Sequence, residues 1–189
     1  MKKESVRDVP LFFAIKLPDE VKDELVRIQE KFKIVAPFKS WVHPEDLHIT
    51  LAFLGHATDI KISEAIKLTA DALKGVKAFQ LEVNHIGTFG LSRAPRILWA
   101  GMEDSESLHR LQKIVHTACE VAQFQLDQRP YRPHITLGRK WTGKNEFDKE
   151  LIPIFEQPLT FIAKEVVLYR TYPDQSPKYK VTESLSLLL

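Results

Sequence analysis

The tetrapeptide His-Ile-Thr-Leu occurs twice in this chain, at residues 48–51 and again at 134–137. In a β-strand, alternate side chains point to the same face. Each copy therefore places a histidine beside a threonine on one face, with isoleucine and leucine on the other. If the two strands face one cleft, they supply it with two imidazoles and two hydroxyls.

These four side chains suit chemistry at a single phosphate. Histidine titrates near neutral pH, so one imidazole can act as a base while the other acts as an acid. Threonine hydroxyls can donate hydrogen bonds to phosphate oxygens. Arg139, at the end of the second copy, can add a charge-assisted contact. Cleavage of a cyclic phosphodiester needs an attacking oxygen deprotonated and a leaving oxygen protonated, and it matches this set.

The repetition carries this hypothesis, because either copy alone would be weak. A single histidine on a strand is more often structural than catalytic, and threonine is an ordinary strand residue. Five other histidines lack the repeated context and are predicted to be non-catalytic: His43, His56, His85, His109 and His116. Cys119 lies beside the apolar stripe of a predicted helix and is assigned to the core.

The motifs do not indicate a metal or a cofactor. Neither copy has the His-x-His or Glu-x-x-His spacing of common metal sites, and two histidines need a third ligand to which the sequence does not point. Gly87 and Gly90 do not precede a helix that begins with Lys-Ser or Lys-Thr, so no glycine-rich phosphate loop is predicted.

Composition indicates one soluble globular domain spanning residues 1–189, with 44% apolar and 28% charged residues. The net charge of +2 is small for a protein that grips long nucleic acid, so any nucleic acid that it binds is expected to be a short piece or an end. The single cysteine excludes an internal disulfide. Residues 1–5 lack the apolar core of a signal peptide, and no apolar run is long enough to span a membrane. A cytoplasmic monomer without membrane contact is expected.

Each half of the chain follows the order strand, helix, motif strand, helix, strand. The first half is predicted as strand 11–17, a helix capped by Asp19, strand 47–54, a helix opened by Thr58 and strand 79–83. The second half is predicted as strand 96–102, a helix capped at 104–105, strand 134–139, a short helix from Asn145 through Phe155 and strand 161–169. The pattern predicts a duplication of two lobes, at about 10–88 and 95–170, with a closing strand at 178–188.

With these residues considered, the chain resembles the two-histidine phosphoesterase superfamily, and within it the LigT-like RNA 2′,3′-cyclic phosphodiesterases, also called 2′-5′ RNA ligases. The resemblance rests on residues 41–55, on 133–139, and on the mid-chain pair 87–89 and 95–101. It implies a bilobal α+β fold, with antiparallel sheets lining a central groove and helices outside. It also implies metal-independent hydrolysis of an RNA 2′,3′-cyclic phosphate to a 2′-phosphate, with RNA joining as the reverse reaction.

Carried over position by position, the resemblance implies that His48 is the general acid that protonates the departing ribose O3′. His134 is then the base that activates water, although a symmetric site permits either order. Thr50 and Thr136 would hold phosphate oxygens.

The resemblance also implies that Arg139 offsets phosphate charge and that Phe53 stacks on the base. By strand parity alone, both side chains point away from the histidine of their own motif. They reach the site only if the strand ends, twists or bulges there.

RNA 3′ ends and small cyclic nucleotides both remain open as substrates. One alternative is another two-histidine activity, on an ADP-ribose cyclic phosphate or on 2′,5′-oligonucleotides. A second alternative is a module that binds nucleotide in the groove without turnover. Both histidines and both threonines are intact, which argues against a loss of catalysis.

Overall fold

The computed structural model describes residues 9–152 and 155–189, so the charged stretch 1–5 lies outside the described residues. The described elements are β1 (Leu11–Lys16), α1 (Asp19–Val35), β2 (Phe38–Trp41), β3 (His48–Gly55), α2 (Asp59–Ala72), β4 (Phe79–Leu91), β5 (Ala94–Met102), α3 (Glu106–Val121), β6 (Ile135–Trp141), β7 (Leu159–Ala163), β8 (Glu165–Thr171) and β9 (Tyr179–Ser186). Short 3₁₀ turns occupy Pro44–Asp46 and Lys149–Leu151.

The strands form two antiparallel sheets, one with the order β3-β1-β8-β9 and one with the order β2-β6-β5-β4-β7. This confirms the predicted α+β class and its antiparallel sheets. Each sheet contains one of the repeated tetrapeptides: the first begins β3, and the second begins immediately before β6.

The final strand of each sequence half joins the sheet of the other half. β4 pairs with β5, whereas β8 pairs with β1. Strand for strand, β3-β1-β8-β9 corresponds to β6-β5-β4-β7, with β2 added beyond β6. Each sheet is therefore built from both halves of the sequence. The duplication itself stays a prediction.

The core lies on the faces of the sheets opposite the histidines. Phe13 and Ile15 of β1 and Ile49 of β3 are completely buried, as is Ile135 of β6. The inner faces of α1 and α3 contribute residues at helical spacing: Val21, Leu25, Phe32, Leu108, Leu111 and Val115. Burying each large apolar side chain contributes about 1.5–3 kcal/mol. This packing holds the isoleucines of both motifs inward, so the adjacent histidines face the other way.

Two predicted helix caps are confirmed and one is wrong. Thr58 accepts a hydrogen bond from the Lys61 N–H, and Ser105 accepts one from the Leu108 N–H. Asp19 does not cap α1, because Pro18 occupies that position and offers no side-chain acceptor. Asp19 lies in the first turn, where its charge still favours the positive end of the helix dipole.

Two other elements differ from their predictions. The prediction of a helix from Asn145 through Phe155 is wrong. The described part of this segment contains a single 3₁₀ turn, which begins after Asp148, and the Asp148 carboxylate accepts a hydrogen bond from the Glu150 N–H. Residues 153–154 lie outside the described part. The single strand expected at 161–169 is also wrong, because Lys164 separates β7 from β8 and each belongs to a different sheet. β2, a short edge strand, had no predicted counterpart.

Candidate active site

The backbone determines which nitrogen of His48 carries its proton. Nδ1 lies 2.6 Å from the carbonyl oxygen of Asp46, which can only accept a hydrogen bond, so Nδ1 is the donor. In the neutral ring Nε2 is then the acceptor, and it lies 3.1 Å from the hydroxyl of Thr50. Thr50 therefore donates to Nε2, and the reactive nitrogen of His48 lies beside its own threonine.

His134 is oriented by the same arrangement. Its Nδ1 lies 2.7 Å from the carbonyl oxygen of Arg132, again two residues earlier in the chain. The neutral ring is therefore protonated at Nδ1, which leaves the Nε2 lone pair available. Both copies of the tetrapeptide thus hold their histidines in the same tautomer, and either neutral ring can accept a proton through Nε2.

The register of β3 against β1 brings Phe53 to the histidine face. His48 lies opposite Lys16, Thr50 opposite Ala14, and Phe53 opposite Phe12. Residues 16, 14 and 12 alternate regularly and share one face, so their three partners share it too. The three-residue step from Thr50 to Phe53 is possible because the register shifts at Leu51, which is an extra residue in the ladder.

The register of β6 against β5 does the same for Arg139. Thr136 lies opposite Trp99 and Arg139 lies opposite Ile97, with a shift that makes Leu137 the extra residue. Thr136 and Arg139 therefore share a face. The irregularity falls at the fourth residue of the tetrapeptide in both copies, so the two strands deliver a third side chain to the site in the same way.

A glutamine reaches each of these irregular positions from a helix. In α1, the Gln29 amide donates to the Leu137 carbonyl at 2.9 Å and to the Val42 carbonyl at 3.0 Å. In α3, the Gln112 amide donates to the Leu51 carbonyl at 3.3 Å. Each helix therefore supports the motif strand of the other sequence half.

Charge and burial link the two motifs electrostatically. Burial lowers the pKa of His48 to about 4, with the nearby Asp46 opposing the fall and the charges of Arg139 and His134 adding to it. Burial also lowers the pKa of His134, against the hydrogen bond to the Arg132 carbonyl, and Arg139 again adds to the fall. The charge of Arg139 thus acts on both imidazoles, and the free site favours two neutral rings.

A groove of about 640 Å³ opens beside the motifs, and Thr50, Phe53 and His134 all line it. Tyr131 also lines the groove, and its hydroxyl donates to the Thr50 carbonyl at 2.9 Å. Phe53 is 57% exposed, so its ring faces the open space. His48 adjoins the groove through its contact with Thr50. The position of Thr136 follows from strand register alone, which places it on the same face of β6 as Arg139.

Asp46 and Tyr179 belong to the site and were not predicted from sequence. Asp46 is 4% exposed, and its carboxylate accepts from the backbone N–H groups of Lys178 and Tyr179, each at 2.9 Å. The Tyr179 ring then meets His48 edge-on at 5.3 Å. The position of Asp46 two residues before His48 was visible in the sequence, but nothing local pointed to its partner 133 positions away.

The remaining histidines have other surroundings. His43 accepts from the Glu45 N–H, and His85 packs against Trp99 at 5.5 Å. His109 meets the Tyr131 ring, whereas His116 lines the far part of the groove. Among residues 9–152 and 155–189, no three His, Cys, Asp or Glu side chains are grouped as metal ligands would be. In those same residues, no helix has both the length and the apolar character needed to cross a membrane.

The fold and the paired histidine–threonine strands define a two-sheet α+β protein of the LigT-like kind. The sequence model of the 2′-5′ RNA ligase superfamily matches residues 17–175 of this chain, and the chain belongs to that family. The match covers both tetrapeptides.

Two curated relatives are both named RNA 2′,3′-cyclic phosphodiesterase. The relative from Geobacillus stearothermophilus is 38% identical over 178 residues, which are 94% of this chain but only 57% of that protein's length. The relative from Bacillus subtilis is 32% identical over 169 residues, covering 89% of this chain and 91% of that protein.

Solved structures share the fold. Escherichia coli LigT complexed with 3′-AMP superimposes with a TM-score of 0.80 at 24% identity, covering 96% of this chain and 99% of that one. A protein from Thermus thermophilus superimposes with a TM-score of 0.77 at 27% identity, covering 94% of this chain and 97% of that one.

Proposed function

We propose that this protein hydrolyses RNA 2′,3′-cyclic phosphate ends to 2′-phosphate ends, with His48 and His134 as a general acid–base pair. The observation that carries the proposal is the matched pair of motifs, in which both imidazoles have the same tautomer and the charge of Arg139 lowers the pKa of both. The names of the relatives from Geobacillus stearothermophilus and Bacillus subtilis support this choice of substrate.

In the proposed reaction, His134 Nε2 takes a proton from water as the water oxygen bonds to phosphorus. The bond from phosphorus to the ribose O3′ breaks, and His48 Nε2–H gives a proton to that oxygen. The products are a 2′-phosphate and a free 3′-hydroxyl. Each well-placed proton transfer contributes about 10²–10⁴-fold in rate. With a ribose hydroxyl in place of water, the same acid and base would form a 2′-5′ linkage.

The neighbours of the histidines support giving His48 the role of acid. The Asp46 carboxylate lies near His48 and favours its protonated form, whereas Arg139 disfavours protonation of both rings. In the free site burial outweighs Asp46, and the pKa of His48 is about 4. An anionic phosphate bound between the rings would further stabilise an imidazolium. Thr50 would then release Nε2 and donate its hydroxyl to a phosphate oxygen.

The roles proposed for three other residues follow from their placement. Thr136 would hold a second phosphate oxygen from the opposite strand. Arg139 would offset the negative charge that grows on phosphorus, since a charged donor binds a phosphate oxygen more strongly than a neutral one. The exposed ring of Phe53 would stack on the terminal base.

Replacing either histidine tests the proposal. We expect His48→Ala and His134→Ala each to lower kcat on a nucleoside 2′,3′-cyclic phosphate by about 10²–10⁴-fold. His56→Ala, which changes an exposed histidine just beyond β3, should retain full activity. Folding of each variant is checked by thermal unfolding. Full activity in both motif variants would refute the proposal, and a panel with ADP-ribose cyclic phosphate and 2′,5′-oligonucleotides separates the alternative activities.

A further inference from the structure

The groove extends well beyond the two motifs. From Thr50 and His134 it runs along the edge strand β3 to the side of α3, where Gln112 and His116 line it. Its outer wall is the segment 126–132, which has no regular secondary structure. A single cyclic phosphate and its ribose would occupy only the end near His134.

Hydrogen bonds hold the outer wall at both ends. Near the site, the Tyr131 hydroxyl is bound to the Thr50 carbonyl, and the Arg132 carbonyl is bound to His134. Farther away, the Asp127 carbonyl lies 3.3 Å from His116 Nε2. Pro130 and Pro133 further restrict the backbone between these contacts. The wall is therefore positioned relative to the proposed catalytic base.

The two arginines of this wall differ in their charge environment. Arg129 is clamped by the Asp127 carboxylate, with its Nε 3.0 Å from Oδ1 and 2.8 Å from Oδ2. This contact lowers the pKa of Asp127 to about 2. Arg132 is exposed, lines the groove and forms no ion pair with any residue in the described part of the chain. Among the described residues, Arg132 is thus a cation that lines the groove without a carboxylate partner.

We propose that this groove binds the penultimate nucleotide of the RNA, and that Arg132 binds the phosphate on the 5′ side of the terminal ribose. The inference rests on the proposed function and specifies its substrate: an oligonucleotide end is preferred over a free cyclic nucleotide. A guanidinium that pairs with a phosphate supplies a charge-assisted contact that a mononucleoside cyclic phosphate cannot use. The groove beyond Arg132 then accommodates the preceding nucleoside.

The test compares adenosine 2′,3′-cyclic phosphate with the adenylyl dinucleotide that ends in the same cyclic phosphate. We expect Arg132→Ala to lower the ratio of kcat/KM on the dinucleotide to kcat/KM on the mononucleotide by about tenfold. Arg132→Lys keeps the charge and should retain most of the ratio. Arg110→Ala removes an exposed arginine of α3 that is not among the residues lining the groove, and it should leave the ratio within about twofold of wild type.

Salt provides an independent measurement. In wild type, log kcat/KM on the dinucleotide should fall with log salt more steeply than on the mononucleotide, because salt screens the additional contact between Arg132 and the phosphate. Arg132→Ala should remove this difference. Equal losses on both substrates in Arg132→Ala, or no change in the ratio, would overturn the inference.

Binding of products separates this inference from the proposed function. Calorimetry with adenosine 2′-phosphate and with the dinucleotide ending in a 2′-phosphate does not require turnover. If wild type hydrolyses neither cyclic substrate, the proposed function fails. The groove is still supported if the dinucleotide binds more tightly and Arg132→Ala removes the advantage. Equal binding of the two products by wild type would overturn the groove proposal even in an active enzyme.

Discussion

The proton-bearing nitrogen of each motif histidine is decided by a carbonyl two residues earlier in the chain, at Asp46 or Arg132. This contact is local, since both carbonyls belong to the segment that leads directly into the motif strand. The hydrogen bond leaves Nε2 for chemistry, in the same orientation in both motifs. What differs between the two copies is the charge around the ring, because the Asp46 carboxylate acts on His48, and this difference is the basis of the proposed acid and base roles.

The depressed pKa values of both imidazoles predict an acidic optimum for the free enzyme. For kcat/KM one ring must be neutral and the other protonated, and both titrate below the ordinary value of 6.5. The maximum of kcat/KM should therefore lie below pH 6.5. In the bound state, the phosphate anion raises the imidazolium pKa, so the alkaline limb of kcat should lie at higher pH. Steady-state rates on a nucleoside 2′,3′-cyclic phosphate across pH give both profiles, and coincident alkaline limbs would contradict this reasoning.

Among the strands, the shared irregularity at Leu51 and Leu137 changes which residues can reach the site. Without it, Phe53 and Arg139 would face the core side of their sheets, where apolar neighbours would leave a guanidinium without partners. With it, each strand presents a histidine, a threonine and one further side chain on one face. The turn that precedes β3 is held from a distance by the start of β9, through the Asp46 carboxylate.

Asp46→Asn tests this connection between β9 and the proposed acid. An amide can accept only one of the two backbone N–H bonds, and its NH₂ group would face the other donor. We expect the free energy of unfolding to fall by about 1.5–3 kcal/mol and kcat to fall with it. Denaturant unfolding and steady-state kinetics measure the two effects.

Glu45→Gln is the matched control for Asp46→Asn. Glu45 is the neighbouring residue, and its carboxylate pairs with Lys22 at 2.9 Å while remaining 58% exposed. A partly exposed pair of this kind contributes about 0–1 kcal/mol, so stability should change little. If the two variants lost similar stability and activity, the connection between Asp46 and β9 would have no special role.

Across the molecule, the two halves of the sequence are joined by exchange of strands and by the paired glutamines. Gln29 of α1 reaches the second motif strand, and Gln112 of α3 reaches the first. A displacement of either helix would therefore disturb the motif strand of the opposite sequence half. The arrangement agrees with a duplicated ancestor whose halves now complete each other's sheets, which remains a proposal.

The contacts of the two glutamines predict unequal losses of unfolding free energy when each side chain is removed. Gln29 is 2% exposed and serves two carbonyls, whereas Gln112 is only partly buried and serves one at 3.3 Å. Gln29→Ala leaves the Val42 carbonyl without this donor, so we expect a loss of about 1–3 kcal/mol in unfolding free energy. Gln112→Ala should cost less than about 1 kcal/mol. Urea denaturation of both variants checks the order, and a larger loss in Gln112→Ala would contradict it.

Much of this protein could be predicted from local patterns. Alternation in the repeated tetrapeptide placed His48 and His134 beside their threonines, and apolar periodicity located the three described helices, because both signals depend on neighbours within a few residues. The helix expected after Asn145 failed for the same reason, since a local pattern does not determine whether a segment finds a surface to pack against.

The tertiary structure alone decided how these parts meet. Strand register depends on the partner strand, so the extra residues at Leu51 and Leu137, and with them the facing of Phe53 and Arg139, follow from pairing with β1 and β5. The contact of Asp46 with the Tyr179 backbone joins residues that are 133 positions apart, and no local preference encodes it. The sequence specifies which side chains are present, whereas the convergence of the site residues depends on the long-range packing that pairs strands from both halves.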